Sequence, residues 1–155
     1  MVRITLFTLI LITTFTCVAN EKGSASDKSA VIQAVRDYIE SQHKSSKDQM
    51  ARALHSKLAK RTYWQAKDGN EFVMETSRKS MLRVAENYNK NGDKFPKSPR
   101  IDINVLDIDQ RIASVKLSAD DWIDYMHLMK SQAGQWHIIN VLWQYHDITK
   151  HGSNH

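Results

Sequence analysis

A single cysteine, Cys17, stands in a chain of 155 residues, so no disulfide can form within it and no paired-cysteine metal site exists. Proline and glycine are also scarce, at 2 and 5 residues, which excludes collagen-like and linker-type architectures. The chain contains no Gly-rich phosphate loop, no His-Glu-x-x-His pair and no G-x-S-x-G elbow, so three common catalytic devices have no basis here. Charge of one sign is not in large excess: 22 basic against 17 acidic residues leave a formal +5. A mild surplus without interleaved aromatics gives no footing for nucleic-acid binding. What remains is an ordinary mixture, 41% hydrophobic and 25% charged, in a length that fits one domain. Such a chain buries roughly two-thirds of its unfolded surface and needs no metal or disulfide staple.

Long hydrophobic runs are missing as well. The longest, Ile4 to Phe15, is interrupted only by threonine and is about a dozen residues, short of the roughly 20 that span a bilayer. Arg3 is the only charge before Glu21, and Cys17-Val18-Ala19 ends the run with small residues. A positive start, a short apolar middle and a small-x-small exit predict a secretory signal peptide over residues 1–19, cleaved after Ala19. The mature protein would carry no thiol and no stable membrane insertion, and would be exported to a periplasmic or extracellular location. Lipidation at Cys17 is the lesser alternative, since Thr14-Phe15-Thr16 does not supply the usual preceding residues. Residues 20–28 read as a flexible leader, 29–147 as the folded domain and 148–155 as a mobile tail.

Within the domain, Ala30, Val31, Ala34, Val35, Tyr38 and Ile39 recur at helical spacing after a cap at Asp27 or Ser29. A second short helix starts near Lys47, and His55 to Lys60 reads as an irregular turn. A hairpin follows, Arg61–Gln65 and Glu71–Glu75 around Asp68-Gly69, then a third helix capped by Thr76 or Ser77. After the proline-containing break at Asn89–Pro99, four β segments follow, near 101–108, 112–118, 121–130 and 135–146. Helices first and long antiparallel strands last define an α+β class.

The segment WIDYMHLMKSQAGQWHIINVLWQYH resembles the last hairpin of the nuclear transport factor 2-like superfamily, in its putative lumazine-binding or SnoaL-like branch. The residues that carry the resemblance are Asp124, Tyr125, Met126, Lys130, Gly134, Trp136, Ile138 and Asn140. AVIQAVRDYIES resembles the opening helix of that family, and Leu54-His55-Ser56 stands where a Phe-His-Pro segment is usual, with Ser56 departing from it. The resemblance implies a cone: a curved antiparallel sheet wrapped around about three helices in the N-terminal half, open at one end to a pocket. The superfamily includes carriers, scaffolds and enzymes of the isomerase, cyclase and dehydratase types, so the fold alone selects no function.

A three-residue loop with a bulge at Gly134 would set Ser131 opposite Gln135 and place even-numbered residues of both final strands on one face. Trp122, Asp124, Met126 and Asn140 would then line an apolar wall, with Asp124 and Asn140 meeting diagonally. Asp124 is the leading candidate, either for orienting a ligand or, in an enzyme, as a general base; it could equally serve only to hold the sheet. The resemblance implies that the strand of Tyr63 and Trp64 lies near the pocket mouth, and Tyr63, His55 and Trp122 are the expected secondary contacts. The opposite face, with Ile123, Tyr125, His127, Met129, His137, Ile139, Val141 and Trp143, is also apolar and suits a homodimer through the sheet. Seven histidines, three of them near the C-terminus, show no ligand spacing, so no metal and no cofactor are expected. Lys44, Lys47, Lys57, Lys60, Arg61 and Lys67 read as a solvated basic face.

The expected function is an exported binding protein for a small aromatic or apolar molecule. The alternatives are a SnoaL- or ketosteroid-isomerase-like enzyme and a dimeric interaction module with a vestigial pocket.

Overall fold

A computed structural model describes residues 24–153; the segment read as a signal peptide, Cys17 and residues 20–23 of the segment read as a leader lie outside them. Helix α1 spans Ala25–His43, α2 Lys47–Ala53 and α3 Arg78–Asn87. The strands are β1 (Leu54–Gln65), β2 (Glu71–Ser77), β3 (Asp102–Asp109), β4 (Ile112–Ser118), β5 (Trp122–Lys130) and β6 (Trp136–Tyr145). They form one curved, unclosed sheet in the order β2-β1-β6-β5-β4-β3, antiparallel except where β1 runs parallel to β6.

Helix α1 begins earlier than its apolar periodicity suggests. Ser24 caps it by accepting from the Asp27 amide at 3.2 Å, so residues 25–28, read as leader, form its first turn. Its inward stripe of Val31, Val35, Tyr38, Ile39 and Gln42 follows helical spacing, and Val31, Val35 and Ile39 are fully buried. Each such aliphatic side chain contributes roughly 1.5–3 kcal/mol through burial. Ser46 caps α2 through the Gln49 amide, and Ser77 caps α3 through the Ser80 amide. No helix among the described residues is long and apolar enough to cross a membrane.

Three local readings need correction. The stretch from His55 to Lys60 is strand, not turn: β1 starts at Leu54 and buries Leu58, Lys60 and Thr62 in strict alternation. Lys60 therefore does not belong to a solvated basic face. Residues 148–153 of the segment read as a mobile tail are packed onto the sheet. Ile148–Lys150 forms a turn of 3-10 helix, the buried His151 gives its carbonyl to the Gln65 amide at 3.0 Å, and Ser153 N–H reaches the Gln65 carbonyl at 2.9 Å.

The third correction concerns the final hairpin. Its loop forms as expected, with Ser131 N–H donating to Gln135 O at 2.8 Å and Gly134 at φ +82°, a conformation that favours glycine. Lys130 faces Trp136 and Leu128 faces Ile138, but a bulge between His127 and Leu128 then inserts an extra residue on β6. Beyond it Met126 faces Val141, Asp124 faces Trp143 and Trp122 faces Tyr145. The inward phase of β6 thus switches from even to odd numbers, which is what a bulge does to a period-two pattern. Val141 and Trp143 turn inward, and Asn140 turns outward.

Candidate functional site

The concave side of the sheet and the helices enclose a cleft of about 600 Å³. Strand β1 gives it Lys60 and Trp64, β5 gives Trp122, β6 gives Trp143 and Tyr145, and α1 gives Tyr38 and Gln42. Met81 and Val84 of α3 close one side, while Lys150 and Gly152 of the C-terminal segment reach the rim. Aromatic walls with few polar groups suit a flat, largely apolar molecule.

The polar floor is a connected network around a buried ion pair. Lys60 is 7% exposed and Asp124 0%. Lys60 Nζ donates to Asp124 Oδ1 at 2.7 Å and to Tyr38 Oη at 2.8 Å, while Trp122 Nε1 donates to Asp124 Oδ2 at 2.9 Å. The same ammonium lies 4.9 Å from the Trp143 ring centroid, within cation–π range. Both carboxylate oxygens are engaged, as a charge at this depth requires. Burial pulls the Lys60 ammonium below the usual lysine range, with the Asp124 charge opposing that shift. Burial first, and then the Asp124 charge, push the Tyr38 phenol well above its usual range, so it stays protonated and able to donate.

The sequence candidates are distributed unevenly about this floor. Trp122 lines the cleft and is bonded to Asp124. Met126 is sealed in the core, opposite Val141. Asn140 does not meet Asp124: the bulge sends it to the convex face, where its amide pairs with His127 Nδ1 at 3.1 Å. Tyr63 points away from Lys60 across the pleat and stacks on His151, with ring centroids 4.6 Å apart. His55 sits at the far end of β1, 6.3 Å from the His137 ring, and accepts the Lys57 amide at 3.1 Å. Among the described residues no group of three potential metal ligands forms.

Lys60, Tyr38 and Trp143 are the cleft residues that sequence reasoning missed. The signal for Lys60 was present: it falls in phase with Leu58, Thr62 and Trp64, an inward-facing register for a charged residue. The signal for Trp143 was the adjacent apolar pair Ile138-Ile139, which marks the slip in alternation.

The C-terminal segment completes the rim. The His151 ring lies among Tyr63, Trp64, Trp143 and Tyr145, and its Nε2 accepts the Tyr145 amide at 2.6 Å. Burial lowers its pKa from the usual imidazole value.

Residues 26–144 match the family described as Putative lumazine-binding. The chain belongs to that family. Solved structures agree on the nuclear transport factor 2-like fold. An NTF-2 like protein of unknown function from Silicibacter pomeroyi shares 15% identity over 78% of this chain and 97% of its own, with a TM-score of 0.63. One from Shewanella baltica, also of unknown function, shares 19% identity over 81% and 98%, with a TM-score of 0.61. A ketosteroid isomerase-like protein from Erwinia carotovora atroseptica shares 11% identity over 80% and 99%, with a TM-score of 0.52. At these identities the likeness concerns fold, and no curated protein matches the chain. Membership in the lumazine-binding family accounts for the cone-like sheet and cleft, and leaves the occupant to be argued from the cleft itself.

Proposed function

We propose that this member of the lumazine-binding family is an exported protein that binds a small, planar, largely apolar molecule carrying at least one hydrogen-bond acceptor. The observation that carries this reading is the Lys60 ammonium on the floor of an aromatic cleft. An ammonium has three donors, and Tyr38 and Asp124 use two of them. A ligand acceptor would satisfy the third, and a buried donor left bare costs roughly 1–3 kcal/mol. Binding is favoured over direct proton abstraction from a ligand because Asp124 is wholly buried behind the cleft lining, with both oxygens held by protein donors.

Native mass spectrometry of the protein purified from its own compartment, together with tryptophan quenching by a panel of planar heterocycles including lumazine, tests this. A molecule retained one-to-one, or saturable quenching that weakens about tenfold in Lys60→Met, supports it. An empty protein that no heterocycle quenches overturns it.

A separate observation favours self-association. Tyr125 and Leu142, directly opposed on the central strands of the convex face, are 50% and 59% exposed, and Ile112 is 64% exposed. We propose that a second copy covers this patch in a two-fold arrangement.

A further inference from the structure

We propose that Lys60 is a covalent docking point, its ε-amine condensing with the carbonyl of a small aromatic or apolar aldehyde or ketone to give an iminium held beside Asp124. The proposal rests on the cleft being the ligand site, and deepens that reading by naming the ligand class and the bond.

Lys60 is the one buried lysine among the described residues, and it opens on a cleft walled by Trp122 and Trp143. Two proton-handling groups lie within bonding distance of its nitrogen, Asp124 at 2.7 Å and Tyr38 at 2.8 Å. An amine attacks a carbonyl only when it is neutral, and burial lowers the cost of that state for Lys60. The proton it releases can pass to Asp124, leaving a neutral amine beside a neutral acid with no change in the net charge of the floor.

The chemistry balances without an added reagent. The amine nitrogen bonds to the carbonyl carbon, one of its protons moves to the carbonyl oxygen, and Asp124 returns the proton it took to that same oxygen. The C–O bond then breaks as water leaves. Taken together, ammonium plus carbonyl gives iminium plus water, with no proton gained or lost and no electron transferred.

This charge balance also selects the ligand. A buried carboxylate is best compensated by a partner that ends the reaction positive. The iminium keeps a positive charge beside Asp124, where the ammonium stood, whereas acylation of Lys60 would remove it and leave Asp124 without a cationic partner. The floor is therefore suited to carbonyl compounds and unsuited to acyl donors. Hydrolysis is slowed by the aromatic walls, which limit water at the new bond.

The test uses benzaldehyde with cyanoborohydride at neutral pH, which converts an iminium to a stable secondary amine, read by peptide mass spectrometry. In the native protein Lys60 should label at least about tenfold faster than the exposed Lys57 or the half-buried Lys116, and this preference should vanish in urea. Acetic anhydride should show no preference for Lys60. Labelling of Lys60 in the native state no faster than of Lys57 overturns the proposal, as does equal preference for the anhydride. Lys60→Arg should lose the selective adduct and keep surface labelling; if that variant does not fold, the native-to-urea comparison on the natural chain still decides. Quenching by lumazine without selective labelling overturns the iminium alone, and loss of both overturns the cleft as a ligand site.

Discussion

The β5–β6 hairpin contributes to two polar pairs, one on each face of the sheet, that lead different lives. On the concave side Asp124 is fully buried and clamped by Lys60 and Trp122. On the convex side Asn140 meets His127 at 3.1 Å on an exposed surface. The residues at the heart of each pair lie close together on the same two strands, and a one-residue bulge decides which side Asn140 takes. The chemistry follows from that placement. Water competes for every hydrogen bond of the outer pair, so it contributes little; the inner pair has no such alternative, so losing either member leaves a charge without compensation.

The sharpest way to break this contrast is to remove one inner partner. Asp124→Ala should cost about 3–5 kcal/mol in urea unfolding, because it strands the Lys60 ammonium. The double variant Asp124→Leu with Lys60→Met should recover most of that loss, and a double-mutant cycle reads the difference. Recovery of nothing would mean that the pair is not the dominant local term. Next in size, Trp122→Phe deletes one bond to a buried carboxylate and should cost about 1.5–3 kcal/mol in the same assay.

Self-association through the convex patch gives a third test. Tyr125→Ser with Leu142→Ser should convert a dimer to a monomer in sedimentation while leaving lumazine quenching intact. A natural chain that sediments as a monomer at all accessible concentrations would remove the outer face from consideration.

A smaller, pH-dependent effect belongs to the rim. His151 must present a bare Nε2 to the Tyr145 amide, and its burial holds its pKa below 6.5. The unfolded chain therefore binds more protons than the fold just below pH 6.5, so stability is complete above that value and falls as the pH drops through the folded pKa. Amide exchange of Tyr145 should accelerate over that window, and His151→Phe should abolish the acceleration. The smallest effect closes the comparison: Asn140→Ala should change unfolding stability by no more than about 0.5 kcal/mol.

Much of the fold was legible because local rules and tertiary packing agreed. The stripe of α1, the Ser77 cap, the 112–118 strand and the Gly134 loop each follow from residue chemistry within a few positions. The site was only half legible. Asp124 stood out as a carboxylate among apolar neighbours, but its partner came from β1, where a lysine among other lysines gave no hint of burial beyond its phase. Asn140 was misplaced because strict alternation was carried through a bulge that only the Ile138-Ile139 doublet betrays. The C-terminal segment was misread for a related reason: its composition is polar, and its order comes from backbone pairing with Gln65 and from His151 filling a gap between rings.

The parallel pairing of β1 with β6 joins the earliest strand in the chain to the latest. Lys60 and Asp124, 64 positions apart, can meet only after the intervening chain has gone out along the sheet and returned. Until then the lysine is an ordinary solvated amine. An amine-reactive pulse during refolding would thus act as a clock, with the reactivity of Lys60 departing from that of the surface lysines at the moment the sheet closes its longest loop.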